Sequence, residues 1–180
     1  MEDQHRWNLL EFCLNKYYDE ILNYMNLRLH NKEDARDLTQ ETFLLITKHI
    51  ESYQQLSSLR TWCFTIAKNV LVDHYRKRGR IKQLFLKVVG ASSLKKETNH
   101  FEEYSHFRFL LQELSAEEQD LIILKHYFGF TYKEIAEISK LSESNVGVKL
   151  SRAISKINEL EKRGESDEFH IQGLHAFKNK

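Results

Sequence analysis

Proline is absent from this chain and glycine occurs only six times in 180 residues. Little therefore interrupts long helices by removing a backbone donor, and few positions favour the tight turns that hairpin-rich sheets need. Only two cysteines occur, Cys13 and Cys63, far apart in sequence and each inside an apolar helical pattern. Buried, reduced thiols are expected there rather than a disulfide framework or a thiolate metal site. No apolar run reaches the roughly 18 residues that span a bilayer, and the N-terminus MEDQHRW lacks the basic-then-apolar order of a signal peptide. A cytoplasmic protein without membrane insertion is expected. Also missing are a Gly-rich phosphate loop, a nucleophile beside a matched base and a His/Cys ligand cluster. Histidines such as His49, His74, His100, His106 and His126 share no spacing. Neither enzymatic activity nor a cofactor or metal is expected. The net charge of +1 excludes strong nucleic-acid binding by bulk electrostatics, so any DNA affinity must come from local basic patches or from a larger complex.

What is present is helical pattern throughout, giving an all-α expectation. The stretch Thr131 to Arg163, TYKEIAEISKLSESNVGVKLSRAISKINELEKR, reads as two helices joined by a tight turn. Tyr132, Ile135, Ala136 and Ile138 recur at helical spacing, and Leu141 falls where one apolar residue fills the angle between the helices. Ser142 is placed to cap the second helix, with Glu143 favoured by the helix dipole. Along that helix Val146, Leu150, Ala153, Ile154, Ile157 and Leu160 form one apolar stripe, leaving Ser144, Asn145, Lys149, Ser151, Arg152 and Lys156 opposite. Asn and Arg can read base edges while Ser and Lys reach phosphates, as in a helix-turn-helix. The same pattern also fits an amphipathic hairpin with a solvated face. Gly147 falls inside the second helix, where it either permits close backbone approach to DNA or weakens the helix by about 1 kcal/mol.

Pattern and charge divide the chain. A first domain, residues 7–80, contains an opening helix with Leu9, Leu10, Phe12, Cys13, Tyr17, Ile21, Leu22, Met25 and Leu29, ended by the polar run His30, Asn31, Lys32. A second helix runs from Glu33 to Ile50, and a polar loop from Glu51 to Ser58. A third helix, Leu59 to Arg78, carries Leu59, Trp62, Cys63, Ile66, Ala67 and Val70 on one face, so the domain is a three- to four-helix bundle. From Arg76 to Lys96 the charges are almost all positive, and Gly79, Gly90, Ser92 and Ser93 weaken regular structure, so residues 81–98 read as a flexible basic linker. Residues 99–163 form a second domain of four helices: His106 to Leu114, Ser115 to Phe128 with a Ser115/Glu118 capping box, and the helix pair. Residues 164–180 have no sustained period and read as a loose tail.

DARDLTQETFLLITKHIESY (Asp34 to Tyr53) and LRTWCFTIAKNVLVDHYRKR (Leu59 to Arg78) resemble the core domain of extracytoplasmic-function (ECF) sigma factors of the sigma-70 family. LLQELSAEEQDLIILKHYFGFTYKEIAEISKLSESNVGVKLSRAISKI (Leu110 to Ile157) resembles their promoter-binding C-terminal domain. The resemblance implies a factor that binds core RNA polymerase, at its clamp coiled coil and flap, and directs it to two-part promoters. It implies polymerase contact at Asp37, Gln40 and Glu41, and contact with melted minus-10 DNA at Tyr53, Arg60, Lys68, Asn69, Asp73, His74 and Arg76. Trp62 shares a stripe with Cys63 and Ile66 and is expected in the core, while Tyr53 and the loop Gln54 to Ser58 are the candidates for a base pocket. Minus-35 recognition falls to Ser144, Asn145, Lys149 and Arg152. Asn145 replaces the threonine usual in the family, Gly147 a basic or polar residue, and Ser115 a frequent proline. An anti-sigma partner, commonly at the membrane, is also implied. The alternative reading is a stand-alone helix-turn-helix regulator that binds DNA without polymerase; a helical adaptor protein is a third.

Overall fold

In the computed structural model, which describes residues 2–29, 31–89 and 110–162, every regular element is helical. The contacts divide the chain into two units, Met1–Asn99 and His100–Lys180.

The first unit is three helices around one core. Cys13, Tyr17, Ile21, Tyr24 and Met25 recur at intervals of about one turn along α1 (Glu2–Arg28), and all five are buried. Phe12, expected among them, points outward at 49% exposure. The polar run does not simply end α1. Asn31 caps α2 (Lys32–His49), its side-chain oxygen accepting from the Glu33 amide at 2.8 Å, and Lys32 is already helical; His30 lies outside the described residues. Glu33 and Asp34 in the first turn and Lys48 and His49 in the last complement the helix dipole. Thr39 and Thr42 are buried on α2, and their hydroxyls donate to the Ala35 and Leu38 carbonyls at 2.7 Å, which removes the cost of burying them.

A short 3-10 turn, Ile50–Ser52, leads into the loop, and Ser58 starts α3 (Leu59–Val89) by accepting from the Thr61 amide at 3.1 Å. Cys63, Phe64, Ala67, Val70 and Leu71 form the buried face of α3, and the three helices pack on one another pairwise. Tyr75 closes the far end by donating to the Arg28 carbonyl, with the Arg28 guanidinium 5.8 Å from its ring centre. α3 also corrects the expected linker boundary, because it continues through Gly79 to Val89. With no proline present, nothing removes a donor from that stretch, and the basic side chains are compatible with a helix. Residues 90–98 of the expected linker, and the tail 164–180, lie outside the described residues.

In the second unit residues 110–112 are helical, and Ser115 caps α4 (Ala116–Ile122) in the expected capping box with Glu118. The Gln119 side chain donates to the Leu111 and Leu114 carbonyls at 2.7 and 3.0 Å, satisfying the end of the preceding turn. The helix expected through Phe128 widens into a π turn, Ile123–Tyr127, with the Phe128 amide reaching the Ile123 carbonyl. Gly129 then takes a positive φ of 71°, and the Phe130 amide returns to the Leu124 carbonyl. That closure buries Leu121, Ile122, Ile123, Leu124 and Phe130 together.

α5 (Tyr132–Ser139) opens with a second capping box, Thr131 with Glu134. Lys140, left-handed at φ 55°, ends it, and Ser142 caps α6 (Glu143–Lys162) by accepting from the Asn145 amide at 3.2 Å. Ile135, Ala136 and Ile138 of α5 and Val146, Leu150, Ala153 and Ile157 of α6 close the core, whereas Tyr132, expected with them, is 43% exposed and Ile154 and Leu160 of the expected stripe are only half-buried. Leu141 in the turn is half-buried.

Candidate polymerase and promoter interfaces

On α2 the buried residues Ala35, Leu38, Thr39, Thr42 and Ile46 consume one face. Asp37, Gln40 and Glu41 are all exposed on the opposite face, one turn apart. Leu44, one turn beyond Glu41, continues that face and is 71% exposed. This large apolar side chain at the end of an acidic and polar strip is not part of the motif, although Leu44 stands three residues from Glu41 and outside the buried set. The strip is bordered by the Asp34–Arg78 ion pair at 3.0 Å, which ties α2 to α3.

The seven residues expected at minus-10 DNA do not share one surface. Tyr53 packs its ring on Trp62 at 5.4 Å and donates its hydroxyl to the Ser57 carbonyl at 2.7 Å, bracing the loop against α3. Burial raises the Tyr53 phenol above its ordinary value, with the buried cysteines adding to the shift. Trp62, expected in the core, is only half-buried. Asn69, Asp73 and Arg76 follow it at helical spacing on the outward face of α3, with Arg76 3.4 Å from Asp73. Lys68 is half-buried at the flank. Arg60 instead faces α1, where it pairs with Glu20 at 2.6 Å and lies 5.6 Å from the Phe64 ring centre. His74 also turns inward: its Nε2 is buried without a hydrogen-bond partner, and its ring meets Tyr75. Of the seven, Asn69, Asp73 and Arg76 are exposed, and Tyr53 and Lys68 are half-buried. In the loop after Tyr53, Gln55 takes a positive φ of 57°, and the next residue, Leu56, is 86% exposed. A non-glycine residue held there stores of order 1 kcal/mol and fixes the direction of the loop tip.

On α6, Ser144, Asn145 and Arg152 are exposed together, with Ser151, Ser155 and Lys156 extending the same face. Val148, one turn from both Ser144 and Arg152, is 46% exposed in the middle of this polar patch. It is absent from the apolar stripe because the stripe skips from Val146 to Leu150. Lys149 is less free, since its ammonium pairs with Glu117 of α4 at 2.6 Å. Lys156 pairs with Glu118 at 2.6 Å, so two lysines hold α6 against the start of α4. Burial pushes the Glu118 carboxyl up, but Lys156 and the Ser115 hydroxyl and amide outweigh it and hold it at about 2. Gly147 is half-buried, and a Cβ there would meet the Tyr132 ring at 3.5 Å.

The first unit thus presents an acidic and polar strip on α2, and the second a polar face on α6. The family model for Sigma-70 region 2 matches residues 13–81, and that for Sigma-70, region 4 matches residues 107–157. The chain is 34% identical to the RNA polymerase sigma factor YlaC of Bacillus subtilis over 83% of this chain and 90% of that protein. It is 33% identical to the ECF RNA polymerase sigma factor EcfG of Rhodopseudomonas palustris over 72% of each. Among solved structures it is similar to the sigma factor RpoE, crystallised with the anti-sigma factor NepR from Bartonella quintana. That likeness has a TM-score of 0.69 at 27% identity, covering 83% of this chain and 94% of that one. With both regions matched in order and a relative one-third identical along most of its length, the chain belongs to the extracytoplasmic-function group of the sigma-70 family of RNA polymerase sigma factors.

Proposed function

We propose that this sigma factor docks on the clamp coiled coil of core RNA polymerase through Asp37, Gln40, Glu41 and Leu44, and reads a two-part promoter with its two units. The observation that supports this most directly is the arrangement of exposed faces. Each unit closes its core and leaves a polar strip that carries an exposed apolar side chain, Leu44 on α2 and Val148 on α6. Such strips match an interface whose apolar centre supplies affinity and whose charged rim sets specificity and rate.

Promoter engagement divides by chemistry. The Tyr53–Trp62 aromatic pair, with Leu56 at the loop tip, offers stacking surface to bases of the melted minus-10 strand, while Asn69 and Arg76 follow the backbone. Arg60 and His74 support the bundle that presents these groups. At the minus-35 element Asn145 and Arg152 read base edges, Ser144 and Lys149 take phosphates, and the second unit rests on the polymerase flap. The near-neutral net charge makes DNA binding conditional on polymerase. The basic side chains that follow Arg76 suit a path along nucleic acid inside the enzyme.

The similarity to RpoE, whose structure was solved with the anti-sigma factor NepR, supports an anti-sigma partner for this chain as well. A membrane-associated anti-sigma factor and a cytoplasmic site of action complete the reading. No described helix is long and apolar enough to cross a membrane.

Run-off transcription with core polymerase on a randomised promoter library tests the proposal. A defined two-part sequence is expected in the transcribed pool, with no shift of the same DNA by the sigma factor alone at physiological salt. Tight binding of the isolated protein, or transcription without sequence enrichment, would overturn it.

A further inference from the structure

The fold brings together the only two cysteines of the chain. Cys13 of α1 and Cys63 of α3 are both fully buried, and their sulfur atoms are 3.9 Å apart. We propose that these two thiols form a reversible disulfide on oxidation, stapling α1 to α3 inside the first unit. The pairing is unambiguous, because no third thiol exists to scramble it. Closing from 3.9 Å to the roughly 2.05 Å of a disulfide takes side-chain rotation and a small approach of the two helices.

The two sulfurs are not equivalent. The Cys63 S–H donates to the Cys13 sulfur, which lowers the Cys13 thiol against its burial; that same hydrogen bond, followed by burial, pushes the Cys63 thiol up. Cys13 is the attacking sulfur and Cys63 the resolving one. With hydrogen peroxide as oxidant, the Cys13 thiolate attacks one peroxide oxygen. The O–O bond breaks, and the departing hydroxide takes the proton Cys13 gave up, leaving water and a sulfenic acid. The Cys63 sulfur then attacks the Cys13 sulfur. The S–S bond forms, the S–O bond breaks, and hydroxide leaves with the Cys63 proton as a second water. Two thiols lose two electrons and one peroxide becomes two waters.

Because both sulfurs are enclosed, the oxidant reaches them only when α1 opens from α3, so the reaction reports a local opening of the bundle rather than a surface thiol. The staple would also be felt outside the core. Cys63 is bonded in sequence to Trp62, whose ring carries the Tyr53 contact. The proposal rests on the pair alone, and its thiol readout is independent of transcription.

The test treats the full chain with hydrogen peroxide in native buffer, quenches it, and labels remaining thiols with a maleimide in denaturant before intact-mass and peptide analysis. The expected product is a monomer that takes up no maleimide, carries a Cys13–Cys63 cross-linked peptide and returns to two labelled thiols with dithiothreitol. Its melting midpoint should rise by more than about 5 °C over the reduced form. Cys63→Ser, which keeps a hydroxyl donor to the Cys13 sulfur but no resolving thiol, should instead accumulate a Cys13 sulfenic acid that dimedone traps. Two free thiols after a dose that oxidises the urea-unfolded chain, an intermolecular dimer, or over-oxidised Cys13 beside free Cys63 would each overturn the proposal.

Discussion

Gly147 lies against the ring of Tyr132, close enough that a Cβ added to it would stand 3.5 Å from the ring edge. The Lys125 ammonium lies over the same ring, 5.0 Å from its centre. The glycine in α6 therefore lies at the contact of α5 with α6. A contact of 3.5 Å is ordinary van der Waals distance, so Gly147→Ala fits without displacing Tyr132. Alanine should stabilise the second unit by up to about 1 kcal/mol through helix propensity. Thermal melts of the variant should show a higher midpoint with promoter-dependent transcription retained. A lower midpoint would mean that the ring cannot tolerate even a methyl group.

Arg60 shows that residue type alone does not fix what a side chain touches within the fold. Its basic side chain in a nucleic-acid-binding motif suggests a phosphate contact, yet it pairs with Glu20 at 2.6 Å, and the two side chains are only 27% and 34% exposed. Arg60→Ala should lower the stability of the first unit by about 1 kcal/mol, and Glu20→Gln should reproduce most of that loss. Denaturation of both single variants and the double variant measures the coupling. Strictly additive losses would return Arg60 to the DNA-contact set.

Much of the fold was readable because helical periodicity reports burial one residue at a time. The stripes Cys13–Tyr17–Ile21–Met25 and Val146–Leu150–Ala153–Ile157 are buried as their spacing implies, and the Ser115 and Ser142 caps lie at the helix starts. Periodicity does not report what crosses between helices. The inward turn of Arg60 and His74, the Lys149–Glu117 pair and the meeting of Cys13 with Cys63 all depend on a partner distant in sequence. The extension of α3 past Gly79 was hidden for a different reason. Glycine lowers helix propensity by only about 1 kcal/mol, which a long basic helix can absorb. Leu44 and Val148 were legible in principle, since each breaks the apolar stripe of its own helix.

The α2 strip predicts a separation of binding from folding. Leu44 is 71% exposed, so Leu44→Ser removes little buried surface and should leave the melting midpoint unchanged. Together with Gln40→Ala and Glu41→Ala it should weaken association with core polymerase by at least about tenfold. Fluorescence anisotropy against core enzyme, paired with circular dichroism, reads both quantities. Lost helicity would mark the strip as structural, and unchanged affinity would move the polymerase contact elsewhere.

Acid should act on the second unit through Glu118. Its carboxyl is held at about 2 against an ordinary value of 4.5, and its side chain is 12% exposed. The folded state binds the proton less readily than the unfolded state, so the contribution is complete above about pH 4.5 and is lost as pH falls through about 2. Glu118→Gln should cost about 2 kcal/mol at pH 7, because it removes the charge that Lys156 and the Ser115 cap stabilise. Stability of the variant between pH 5 and pH 2, followed by hydrogen exchange of α4 and α6 amides, should be flatter than that of the parent. An unchanged slope would assign the acid sensitivity to other carboxylates.

The recognition face offers a test in which three neighbouring residues should fail differently. Arg152 is exposed and one turn from Val148, so Arg152→Ala should cost about 1 to 3 kcal/mol on the preferred promoter and relax preference at one minus-35 position. Val148, with its exposed branched methyls, suits the methyl group of thymine, and Val148→Ala should relax preference at a different position while weakening binding less. Lys149 is held by Glu117 as an orienting pair, so Lys149→Ala should weaken all promoters alike and reduce the salt dependence of binding. Transcription from a minus-35 library with each variant separates these outcomes, because loss at one base position and uniform loss leave different patterns. A uniform loss with Arg152→Ala would reassign it to phosphate, and an unaltered pattern with Val148→Ala would leave the exposed valine without a part in base selection.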